Sequence, residues 1–268
     1  MNARDNIRIA NCSGYYGDKL SAAKELIEGG PIDFLTGDYL AELTMGILYS
    51  QKLKRGEDMG YVGTFLKQYR DVAKTCQAKG IKIVVNAGGL NPKSMANELN
   101  KINEELSLEM NVAYIDGDDI VDDLSTLQDQ GEEFIHLDKH VPISSSGCEI
   151  ITANVYLGAW GIVKALDLGA DVVICPRVTD ASLVIGPAAW KFGWKRDDFD
   201  KLSGALAAGH IIECGAQTTG GNYAFFEEVE TFKDIGYPIA EIYEDGSFMI
   251  TKHENTGGLI STGTVTAQ

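Results

Sequence analysis

The chain's 268 residues can hold one large α/β domain or two smaller ones. Hydrophobic residues make up 44% of them and charged residues 23%, which fits a globular chain with a sizeable core and excludes a disordered one. A formal net charge of -16 repels nucleic acid and anionic lipid, and the nearest thing to a basic patch, Lys52, Lys54 and Arg55, runs straight into Glu57 and Asp58.

Residues 7–11 read as a first strand, followed by the loop Ser13-Gly-Tyr-Tyr-Gly-Asp18 and a helix over 19–27 that Gly29, Gly30 and Pro31 stop. A second strand, 33–35, leads through Thr36, Gly37 and Asp38 into a helix over 39–50. A long helix over 62–77 precedes a third strand at 81–85, then the loop Asn86-Ala-Gly-Gly-Leu-Asn-Pro and a helix over 93–106. A fourth strand at 112–115 ends in Asp116-Gly-Asp-Asp, and residues 122–143 form a polar, weakly periodic excursion. The pattern resumes with a helix over 148–168, a strand from Asp171 to Ile174, a helix over 180–192 and another over 199–206. Residues 211–214 read as one more strand, and 237–243 with 247–250 as a hairpin turning at Asp245-Gly246.

This alternation predicts an α/β fold with a mostly parallel sheet flanked by helices and a small β-rich C-terminal portion. The division expected is a core domain over 1–223 and a β-rich segment over 224–268. The final stretch, 257–268, is built of small, β-prone residues, as if it were an edge that another subunit continues or one that has been cut. Five cysteines, an odd number without metal-ligand spacing, point to free thiols in a reducing cytoplasm. No signal peptide or membrane-length apolar run is visible, so a soluble cytoplasmic protein is expected.

The strongest chemical signal lies at residues 171–187. Asp171-Val-Val-Ile reads as a doubly buried strand, stopped at Cys175-Pro176 and followed at once by Arg177, Thr179 and Asp180. The carboxyl end of such a strand is where open α/β sheets bind ligands. Arg177 can grip a carboxylate or phosphate, and Asp180 can act as a base; the plainer reading, a helix cap with a surface ion pair, fits the pattern equally well. Glu213, placed inside an apolar strand, needs an arginine or carries a raised pKa. His210 is the best-placed histidine for proton transfer, although a strand-edge hydrogen bonder is its commoner fate. Cys214 reads as a small buried filler.

Around them stand the polar glycine-rich turn of Gln217, Thr218, Gly220, Gly221 and Asn222, and three loops that follow strands: Ser13, Gly14, Gly17 and Asp18; Gly37 and Asp38; Asn86, Gly88 and Gly89. Their N–H groups can cradle an anion. None is a dinucleotide fingerprint or a Walker loop, and no nucleophile elbow of a serine hydrolase appears. The aspartates at 116, 118, 119, 122 and 123 suggest a hard cation, but their spacing misses a calcium loop and fits a solvated turn better. No cofactor is expected, although magnesium is one ion the acidic residues would suit.

The segments IANCSGYYGD, DFLTGDYLAELTM, VVNAGGLNP, GADVVICPRVTDASLVIGPAA, GHIIECGAQTTGGN and TGG near Gly258, taken in order, make the chain similar to the acyclic terpene utilisation proteins of the AtuA type. The resemblance spans nearly the whole chain. The family's best-known members belong to the degradation of citronellol and geraniol through branched acyl-CoA intermediates and others to unrelated carboxylic-acid pathways, so the resemblance fixes no substrate. A small separate subunit often accompanies the main one. The resemblance also favours the functional reading of Arg177 and Asp180. The expected activity is that of a lyase or hydratase acting on a small branched carboxylic acid or its CoA thioester, in a homo-oligomer or with a small partner subunit. Arg177 would clamp the substrate, Asp180 or Glu213 would move the proton, and the glycine loops would hold the anionic end. The alternative is a non-catalytic or half-site subunit of a hetero-oligomeric enzyme that requires a second small subunit.

Overall fold

The computed structural model describes residues 5–268. Its centre is a seven-stranded sheet in the order β4-β5-β3-β2-β1-β6-β7. The strands are β1 (Asn6–Asn11), β2 (Phe34–Gly37), β3 (Lys82–Val85), β4 (Val112–Tyr114), β5 (Val172–Ile174), β6 (Ile239–Tyr243) and β7 (Phe248–Thr251). Strands β1 to β5 run parallel, while β6 and β7 are antiparallel. The fold is therefore α/β, as the alternation predicts.

The helices cover both faces, which is why the inner strands are apolar on both sides. One face carries α1 (Ala22–Gly29), α2 (Glu42–Arg55), α3 (Gly63–Lys79) and α4 (Pro92–Leu106), packed on Leu35, Ile83, Val85 and Ile174. After the short α5 (Leu124–Asp129), the other face carries α6 (Trp160–Asp167), α7 (Ser182–Phe192) and α8 (Phe199–Glu213), packed on Ile7, Ile9, Val84 and Val173. Local signals fix several ends. Asn91 Oδ1 accepts from Ser94 N–H at 3.1 Å with Pro92 in the first turn, and α3 stops where Gly80 turns left-handed.

Three expectations are corrected. Residues 148–168 are not one helix: only α6 is helical, and the stretch before it is irregular, bridging Asn154 to Asp119 and Leu157 to Val178. The β-branched Ile150, Ile151, Thr152 and Val155 resist helix there. Residues 211–214 are not a strand but the end of α8 and the residue after it. Ala205, Ala208, Gly209 and Ile212 are its buried positions, spaced as one helical face. Residues 257–268 are not β: Thr262–Ala267 form α9, opened by a capping box at Ser261.

The hairpin at 239–251 is as read from the sequence, and it joins the main sheet. β6 pairs with β1 from Asn6↔Tyr243 to Ala10↔Ile239, so the C-terminal strands extend the core sheet. No helix among the described residues is long and apolar enough to cross a membrane.

Candidate active site

The carboxyl ends of β1, β2, β3 and β5 lie side by side, and the loops leaving them are tied to one another. Asp38 N–H donates to Ser13 O at 2.9 Å, and Gly88 N–H donates to Cys175 O at 3.0 Å. Asn86 holds the centre: its Nδ2 donates to Asp38 Oδ1 at 2.6 Å while its Oδ1 accepts from Tyr39 N–H at 2.7 Å. From the other face, Asn11 Nδ2 donates to the carbonyls of Ile212 and Glu213 at 2.8 and 2.9 Å, which pins the end of α8 against β1. Gly14 is glycine because a side chain there would meet the Cys214 backbone at 2.5 Å.

This arrangement brings Asp38, Asp180 and Glu213 together. One carboxylate oxygen from each lies within 4.8 Å of the others, the one such group of three among the described residues. Three hard oxygen donors could hold a divalent cation such as magnesium; these are not the aspartates at 116–123 that the sequence offers for that task. Without a cation, burial first and neighbouring charge second raise the pKa of these carboxyls. Burial, then the charge of Asp180, pushes Asp38 up to about 7. Burial, then the charges of Asp180 and Asp38, pushes Glu213 up to about 8. Asp180 is raised by its own burial although Arg177 pulls the other way. Its Oδ1 is buried with no hydrogen-bond partner among the described residues, and it does not cap α7.

Arg177 is 4% exposed and its backbone N–H donates to Asp118 Oδ2 at 3.1 Å. Nη1 donates to Leu40 O, while Nη2 donates to Glu42 Oε1 at 3.0 Å and to the Tyr156 hydroxyl at 2.5 Å. The Tyr156 ring stacks on the guanidinium at 4.4 Å. Leu40 links the two clusters, since its N–H donates to Asp38 Oδ1 at 3.2 Å. Glu213 also meets His210, whose Nδ1 lies 3.1 Å from Glu213 Oε1 and whose side chain is 65% exposed.

Over residues 7–268 the chain matches the family described as acyclic terpene utilisation family protein AtuA. The chain belongs to the AtuA family. No curated protein and no solved structure matches it.

In this AtuA-family chain the remaining predicted residues divide by what they bond. Asp18 accepts from Gly14 N–H, Lys19 N–H and the Tyr237 hydroxyl, which fixes its loop, and Gly17 turns that loop at φ +99°. Thr179 Oγ1 lies 2.5 Å from Ser182 Oγ. Thr218 bonds the Ile211 carbonyl and Thr219 that of Ala216, so both are spent on the turn. Gln217 and Asn222 are exposed, and Asn222 Nδ2 reaches Ala267 O at 3.5 Å. The N–H groups of Gly14 and Gly89 donate within their own loops, and those of Asp38 and Gly88 donate to neighbouring ones, so all four are occupied by protein acceptors. Burial raises the Cys214 thiol, which keeps it a neutral filler. Sequence reading misses Glu42, Asn154 and Tyr156. Glu42 lies within the DFLTGDYLAELTM segment, and the other two stand in the stretch read as helix.

Proposed function

We propose that this crevice carries out acid–base chemistry on a small branched carboxylic acid or its CoA thioester, as a lyase or hydratase. The observation that supports the reading is the Asp38–Asp180–Glu213 cluster, in which burial and neighbouring charge push Asp38 up to about 7 and Glu213 up to about 8. Carboxyls poised near neutral pH can give a proton to one substrate atom and take one from its neighbour. Adding or removing water, or cleaving a carbon–carbon bond beside a carboxyl or thioester, needs those two transfers and a cation for the anionic end. Asp180 is the base, because its Oδ1 lacks a partner; Glu213 is the acid, resupplied from solvent through His210; Arg177 provides the positive charge.

The test is turnover of a panel of branched enoic acids and their CoA thioesters by Asp180→Asn and Glu213→Gln. Each variant is expected to lose about a hundredfold or more in kcat with an unchanged circular dichroism spectrum. Full turnover in both removes the reading. A second reading, a subunit completed by another chain, is favoured by Phe225 and Phe226, which are 67% and 59% exposed just after the Gly220–Asn222 turn. Light scattering of the purified chain separates the two: an active homo-oligomer supports the enzyme, and activity gained only with a second chain supports the subunit.

A further inference from the structure

The cation beside the carboxylate cluster already holds an acid. We infer that the Arg177 guanidinium and the Tyr156 hydroxyl form a subsite for an external carboxylate, and that the Glu42 side chain is its resident occupant, displaced when the acid enters. The inference deepens the function proposed above and rests on its claim that an organic acid is the substrate.

The two sides of the contact differ in exposure and in how many groups hold them. Arg177 is held from several directions: by Leu40 O at Nη1, by Asp118 at its backbone N–H and by the stacked Tyr156 ring. Glu42 is held only at the tip. Its side chain is 80% exposed, against 5% for that of Arg177, and one oxygen, Oε1, accepts from both Nη2 and the tyrosine hydroxyl. An ion pair with so exposed a partner contributes little to stability, so the buried guanidinium is the receptor and the exposed Glu42 carboxylate its placeholder. The exchange is also neutral in charge. One carboxylate leaves for water as another arrives, so the nearby Asp38, Asp180 and Glu213 meet no added anion.

The space fits an acid of modest size. Arg177, Tyr156 and Glu42 line an open cavity of about 180 Å³ together with Met45, Thr152 and Asn154. That is smaller than the roughly 300–1,000 Å³ of sites that enclose drug-sized ligands, and Met45 offers an apolar wall to a short branched chain. Glu42 acts here as a gate that sets affinity.

Isothermal titration calorimetry with 3-methylbutanoate as the probe, and 3-methylbutanamide as its neutral counterpart, tests this on the full chain. Removing a resident occupant tightens apparent binding, so Glu42→Ala is expected to bind the acid about five- to tenfold more tightly than the unaltered protein, with no gain for the amide. Tyr156→Phe placed on top of Glu42→Ala is expected to reverse most of that gain while leaving the fold intact. Equal or weaker acid binding by Glu42→Ala overturns the inference, as does an equal gain for the amide, or no binding by either protein. The readout needs no turnover, so the subsite can fail while Asp180→Asn still abolishes catalysis, or stand when it does not.

Discussion

Asp38 places a carboxyl where burial and a neighbouring charge both resist its ionisation, and this makes folding depend on pH. Its folded value of about 7 lies above its ordinary 3.8. Between those values the folded chain holds a proton that the unfolded chain has lost, so stability is full below about 3.8, falls as pH rises and levels off above about 7. Glu213, moved from 4.5 to about 8, acts with the same sign over a slightly higher window. Asp38→Asn keeps an oxygen for the Asn86 and Leu40 donors but cannot titrate. Thermal melts from pH 5 to 8 are therefore expected to show a shallower decline for the variant, the difference across that window amounting to at most about 3 kcal/mol. Parallel curves would mean that Asp38 ionises in the folded chain as freely as in water.

At the scale of elements, α8 delivers Glu213, and its approach depends on glycine. A side chain at Gly209 would stand 2.9 Å from Ala181 Cα on the segment that opens α7, and one at Gly204 would meet the Gly246 carbonyl. Gly209→Val is expected to destabilise the protein by about 1–3 kcal/mol, read as a lower midpoint in urea, and to weaken turnover by moving Glu213 away from Asp180. An unchanged midpoint would show that the two helices have slack.

The same elements explain what the sequence made legible. Strands β2, β3 and β5 are short apolar runs closed by glycine or proline loops, a pattern that burial on both faces imposes. The end of α8 was hidden because His210-Ile-Ile-Glu-Cys214 is too short a window to show a 3.6-residue period, and two adjacent isoleucines mimic a strand. The extended stretch before α6 is held by side-chain pairs such as Asn154 with Asp118, which leave no periodic trace. Arg177, Asp180 and Glu213 could be singled out as ionisable groups beside apolar runs. Glu42 could not, since it lies 135 residues from Arg177 and looks like any exposed helix residue.

For the whole molecule, the sheet order does the assembling. Strands β1, β2, β3 and β5 are successive neighbours in the parallel part, so residues 38, 86 and 180 leave it at one rim, and Asn11 draws residue 213 to the same place. The central claim is that these distant segments build a cluster that keeps protons at neutral pH. Carbon-13 NMR of the Asp and Glu side-chain carboxyls, followed through a pH titration of the folded chain, measures this directly. Two carboxyls are expected to titrate near 7 and 8, both moving down in Asp180→Asn as its charge is removed. If every carboxyl titrates below about 5, the cluster holds no proton at neutral pH and the proposed chemistry is wrong.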